Sequence, residues 1–133
     1  MKRIAIFFTL TLAVIFGGCS SKYTILNLQT APDRFLSTEV TVVGRVVQTL
    51  DDRNSEFDSY SIADKSGEIW ILTKRGVPLR GSAYEVHGIY KRPPSNASAQ
   101  VSRYVIEETA RTEWDIVVDD YGYETISPRE PVY

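Results

Sequence analysis

From Glu39 onward the side chains alternate in character with a period of two. Val40, Val42, Gly44 and Val46 interleave with Thr41, Val43, Arg45 and Val47. Successive side chains of a strand point to opposite faces, so this run specifies one long β-strand. Gly44 inside it predicts a bend or bulge. The rhythm returns at Phe57 to Ala63, Glu68 to Lys74, Ser82 to Lys91 and Gln100 to Thr109. Asp64-Lys65-Ser66-Gly67 is a tight turn by composition and joins the second and third runs as a hairpin. Pro93 and Pro94 keep the segment after Lys91 out of any central strand. Five short strands separated by turn signals predict an all-β domain.

The flanks differ. Lys2 and Arg3 precede an uncharged, mostly apolar run from Ile4 to Phe16, followed by Gly17, Gly18 and Cys19. That run suits a signal peptide, whereas a membrane-spanning helix needs about 20 apolar residues. Residues 1–18 are therefore expected to be a removable export signal. Between it and the first strand, residues 19–38 are expected to be a tether that docks late. Pro32 and Asp33 predict a single helical turn through Leu36. At the other end, residues 114–133 hold five acidic residues against Arg129 alone. Trp114 to Val118 suits a strand, and Asp119-Asp120-Tyr121-Gly122 a turn into Tyr123 to Ile126.

Phe16-Gly17-Gly18-Cys19 resembles a lipobox, the processing site of bacterial lipoproteins. The resemblance implies that Cys19 becomes the first residue and carries lipid on its thiol, with acyl chains such as palmitate. Several chains hold firmly, since each buried methylene contributes about 0.8 kcal/mol. Ser20 stands where the family carries Asp to retain a lipoprotein in the inner membrane. This implies an outer-membrane lipoprotein facing the periplasm.

A second resemblance covers residues 39–109. Val40-Thr41-Val42-Val43-Gly44-Arg45-Val46, Tyr60-Ser61-Ile62-Ala63-Asp64-Lys65-Ser66-Gly67-Glu68-Ile69-Trp70-Ile71 and Gly81-Ser82-Ala83-Tyr84-Glu85-Val86-His87-Gly88-Ile89-Tyr90 are similar to the anticodon-binding type of OB domain and its exported relatives. The implied fold is a small five-stranded OB-like barrel over residues 39–113, with 114–133 as an acidic extension. Arg75 to Gly81 is too short for the helix that many OB domains carry there, so the lead-in or the tail is expected to cover the bottom of the barrel.

If Ile69 and Ile71 face the barrel interior, Trp70 and Leu72 face outward. The outward face of strands two and three is where OB ligands lie. Arg45, Trp70 and Leu72 are thus the candidate ligand face, with Arg45 beside Trp70. The competing expectation is that the C-terminal segment, through Trp114, Ile116 and Val118, packs across this face as an added strand or flap. His87 is expected to point outward.

Charge bears on the ligand. After signal removal thirteen Lys and Arg remain of fifteen, against seventeen acidic residues, a net charge of −4. That sign opposes phosphate backbones, as do Asp51, Asp52, Glu56 and Asp58 in and beside the loop after the first strand. Lys74, Arg75 and Arg80, and Lys91, Arg92 and Arg103, read as solvated basic groups. One Cys and one His are too few for a metal site built on those ligands. Adjacent carboxylates such as Glu107 and Glu108 point to opposite faces of a strand and make no acid–base dyad. The sequence therefore predicts no enzyme, no metal and no cofactor beyond the lipid on Cys19. It predicts a membrane-anchored binding module whose partner is an envelope protein or other envelope component. The alternative is an oligonucleotide or oligosaccharide bound on the Trp70 face.

Overall fold

A computed structural model describes residues 22–51, 56–94 and 104–129. The signal region with Cys19 lies outside them, as do most of the loop after the first strand and the start of the predicted fifth strand. Two short helices, α1 (Ile25–Thr30) and α2 (Pro32–Phe35), precede six strands. These are β1 (Glu39–Leu50), β2 (Asp58–Ala63), β3 (Glu68–Thr73), β4 (Ala83–Lys91), β5 (Val105–Val118) and β6 (Glu124–Pro128). Their order is β3-β2-β1-β4-β5-β6, and β3 also pairs with β5. That last pairing closes the first five strands into a ring, the all-β, OB-like barrel expected from the alternation. β6 lies outside the ring as an added strand.

β1 serves two partners. Its first half, Glu39 to Arg45, pairs with β4, and its second half, Arg45 to Leu50, pairs with β2. A strand shared in this way must turn sharply between its halves. Gly44 sits at the turn, where a Cβ would lie 2.7 Å from the Ala63 carbonyl oxygen. A register shift between Val46 and Gln48 adds curvature. β4 repeats the device against β5, with a register shift between His87 and Gly88.

Inward side chains form one core of Val40, Val42, Val46, Tyr60, Ile62, Ile69, Ile71, Val86, Tyr90 and Ile106, joined by Ile25 and Leu28 of α1. Both α1 residues are fully buried, so the lead-in does cover one end of the barrel. Each such side chain contributes roughly 1.5–3 kcal/mol by leaving water. A helix this short has little stability alone, and its free amides are met from outside. The Ile25 amide donates to Asp64 Oδ2 at 2.9 Å and the Leu26 amide to Ser66 Oγ at 3.0 Å. Thr24 caps the Asn27 amide at 3.2 Å, and Asn27 caps back. Asp64 Oδ1 also accepts the Ser66 and Gly67 amides, so one carboxylate shapes the β2–β3 turn and seats the helix.

The lead-in differs from the expected late-docking tether. Lys22 already bridges Thr41 of β1, and the Tyr23 amide donates to the Thr41 carbonyl at 2.9 Å. β5 also runs unbroken through residue 114, where the extension was expected to begin.

Gly88 offers the sharpest test of the barrel. A Cβ there would fall 2.2 Å from the Glu107 carbonyl oxygen and 2.6 Å from Ile106 Cγ2. Gly88→Val is expected to destabilise the fold by about 1–3 kcal/mol or more, through overpacking against backbone that cannot yield. Thermal denaturation followed by circular dichroism checks it, and an unchanged midpoint contradicts it.

Candidate functional site

Trp70 and Leu72 do face away from the barrel interior, but they are not free. With Phe57 and Val105 they form a second buried cluster, against which Leu50 packs. Trp70 is only 8% exposed and Leu72 1%. Lys74 lies over the Phe57 ring at 5.1 Å while paired with Glu56 at 2.9 Å. The polar residues nearby are bonded to one another: Gln48 and Ser61 both donate to Glu68 Oε1, at 2.8 and 2.6 Å.

Arg45 does not accompany Trp70. Trp70 pairs with Ser61, which pairs with Gln48, so Arg45 lies further along β1. Its side chain runs the other way: Nε donates to the Gly81 carbonyl at 2.9 Å and Nη1 pairs with Glu124 of β6. Arg45 is therefore set apart from Trp70 and Leu72, and the cation beside their cluster is Lys74, over Phe57.

The tail departs from expectation as well. Trp114, Ile116 and Val118 belong to β5, and β6 pairs with them there rather than crossing β3. Trp114 stands opposite Ala83 of β4 and lies under Lys22, 5.3 Å from its ammonium. The apolar cover over Trp70 comes from Phe57, Leu72, Val105 and Leu50 instead.

Inside the barrel lies a buried carboxylate, that of Glu108. The Glu108 side chain is fully buried and accepts from Tyr60 Oη, from Thr73 Oγ1 at 2.7 Å and from Arg111 Nη1 at 3.3 Å. Arg111 also donates to the Gly76 carbonyl at 2.9 Å and lies 5.7 Å from the centre of both the Tyr60 and Tyr84 rings. Burial first, and then the Glu108 hydrogen bond and charge, hold the Tyr60 phenol above its ordinary range. Every partner is satisfied, as a buried carboxylate requires. Glu107 points outward to Lys91 at 2.6 Å, the opposite-face geometry read from the sequence. His87 faces outward, with Nδ1 2.8 Å from Thr41 Oγ1. Among the described residues no group of His, Cys, Asp or Glu is placed to hold a metal ion.

The exposed chemistry is concentrated on the β5–β6 hairpin. Tyr121 is 87% exposed and Tyr123 72%, with Val117 and Val118 beside them at 50% and 58%. The tip is nevertheless ordered by its own bonds. Asp119 Oδ1 accepts the Tyr121 and Tyr123 amides at 2.9 and 2.8 Å, and the Asp119 amide donates to the Tyr123 carbonyl at 2.9 Å. Gly122 supplies the positive φ of +83° that closes the turn. At the base, Arg129 bridges Glu113 and Asp115, both at 2.9 Å. The sequence located this turn, but its exposure is a tertiary fact: among the described residues no layer packs over β6 to bury the tyrosines.

No family model matches the chain, and no curated protein matches it. Solved structures do. A putative aspartyl-tRNA synthetase from Leishmania major Friedlin aligns over 77% of this chain at 9% identity, with a TM-score of 0.53. The aligned part spans only 22% of that synthetase. The OBody AM3L09, solved bound to hen egg-white lysozyme, aligns over 60% of this chain and 84% of its own, at 15% identity and a TM-score of 0.48. OBody AM2EP06, also bound to hen egg-white lysozyme, gives 59%, 81%, 15% and 0.44. The likeness is one of fold. It agrees with the OB resemblance carried by residues 39–109 and says nothing of a ligand.

The placement of Trp70 yields a direct check. In a Trp114→Phe background, deleting residues 119–133 is expected to leave the remaining Trp70 emission blue-shifted, because β6 lies on β5 and not over β3. A red shift on truncation would mean that the tail does cover that face.

Proposed function

We propose that this chain is a non-enzymatic binding module, held at a membrane by lipid on Cys19, that engages a protein or other component of the cell envelope. The observation that carries this reading is the β5–β6 hairpin. It presents two exposed tyrosines and two valines on a turn fixed by Asp119. Rigid tyrosines give large contact area at low entropic cost, and they are enriched at protein interfaces for that reason. The other face offered by the fold supports an oligonucleotide or oligosaccharide less well, since Trp70 is buried and Arg45 is engaged with Glu124. The net charge of −4 after signal removal points the same way. No catalytic constellation, metal or cofactor enters the reading. The lipid anchor rests on the Phe16-Gly17-Gly18-Cys19 run, and the outer-membrane address on Ser20.

Two measurements test it in intact cells. Cys19→Ser should abolish labelling by a fatty-acid probe and leave the precursor uncleaved or unanchored. A photo-crosslinking amino acid at Tyr121 should give a discrete adduct that Tyr123→Ala weakens, while the same group at exposed Leu79 should give none. Adducts from Leu79 alone, or normal processing and membrane retention of Cys19→Ser, contradict the proposal.

A further inference from the structure

Where the chain first joins the barrel limits how the barrel can sit on a membrane. Lys22 is bridged to β1 at Thr41, and its ammonium lies 3.3 Å from Glu85 and 5.3 Å from the Trp114 ring. Tyr23 packs edge-on against Phe35 with centroids 4.8 Å apart, and α1 follows at once with Ile25 and Leu28 in the core. Only Ser20 and Ser21 separate this fixed point from Cys19. Three Cα steps span at most about 11 Å. A lipid on Cys19 therefore keeps the docked residue within about 11 Å of the bilayer surface.

The end of the barrel nearest that point is built by α1, α2 and the start of β1. It holds an open cavity of about 480 Å³ lined by Tyr23, Asn27, Thr30, Arg34, Phe35 and Glu39, among others. The Arg34 guanidinium lies 5.9 Å from the Phe35 ring and makes no ion pair among the described residues. Glu39 pairs with Ile89, which pairs with Glu107, so this end lies level with Glu107 on β5. β5 continues from there to Val118, a contour of about 35 Å at 3.3 Å per residue along a strand that curves with the barrel, before the hairpin turns. The far tip carries exposed Asp119 and Asp120 with no basic residue from Val118 to Tyr123, whereas at the near end Arg34 offsets one of the exposed Asp33 and Glu39, so anionic lipid repels the tip more.

We infer that the α1–α2 end of the barrel rests against a phospholipid surface, with Arg34 at the level of the lipid phosphates, and that the β5–β6 tip points away from it. The inference rests on the reading of Cys19 as lipidated. It assigns the membrane to one end of the molecule and the partner to the other.

Spin labelling tests this on the full, acylated chain. Its one cysteine is blocked by lipid, so a cysteine introduced at Asp33 or at Tyr121 is labelled alone. The labelled protein is reconstituted into vesicles of phosphatidylethanolamine and phosphatidylglycerol that contain a nickel-chelating lipid, whose metal relaxes nearby nitroxides. Relaxation at Asp33→Cys should be severalfold stronger than at Tyr121→Cys, and Arg34→Glu should weaken it at Asp33. Mass spectrometry of the same preparation reads Cys19. Equal relaxation at both sites, or stronger relaxation at Tyr121, on an acylated chain overturns the inference alone. A Cys19 that carries no lipid overturns the reading and the inference together.

Discussion

The structure depends on a short parallel seam. Trp70, Ile71 and Leu72 of β3 pair with Val105, Ile106 and Glu107 of β5, and this closes a curled sheet into a barrel. Without that pairing β3 and β5 would be open edges exposing unpaired backbone groups. The seam also sorts side chains to two sides. Ile71 and Ile106 turn into the main core, whereas Trp70, Leu72 and Val105 turn out and pack together with Phe57. Closure and concealment of the Trp70 face are thus one event. Just beyond the seam, Glu108 is drawn inward between Tyr60, Thr73 and Arg111, tying β5 to β2 and β3 through hydrogen bonds that a low-dielectric interior strengthens.

Much of the barrel was legible because period-two alternation is a local signal. β1 through β4 fall within about a residue or two of the runs read from sequence, apart from a longer end to β1, and the Asp64 turn joins the strands it was expected to join. Other features were hidden for physical reasons. α1 has six residues and only two core contacts, too few for a visible helical period. Thr24 and Asn27, spaced as N-cap and N3, were the signal that could have found it. β5 extends to Val118 through Thr109 to Glu113, a polar stretch that reads as a break until β4 is known to pair with it. The buried Glu108 network is invisible from sequence, because its partners come from β2, β3 and β5.

The candidate site was legible only in part. Alternation correctly turned Trp70 and Leu72 outward, but outward from a barrel is not the same as exposed to water. Arg45 is held by the Gly81 carbonyl and by Glu124 on β6, nearly 80 positions away, a pairing no local pattern reveals. The strand, turn and second strand read over Trp114 to Ile126 form an ordered hairpin, with β6 paired along the end of β5. β6 is the open edge of the sheet among the described residues, and Pro128 and Glu124 at its two ends discourage indiscriminate strand pairing. At the tip of this hairpin Tyr121 and Tyr123 stay exposed to water.

The molecule is a closed barrel from which that hairpin projects. Native-state hydrogen exchange followed by nuclear magnetic resonance tests it most directly. The amides that pair β3 with β5, at residues 70–72 and 105–107, should exchange only through global unfolding and rank among the slowest in the molecule. Those of the β5–β6 tip should exchange far faster, through local opening. Seam amides that exchange as quickly as the tip would contradict the account, because the sheet would then be open and the Trp70 face available to solvent.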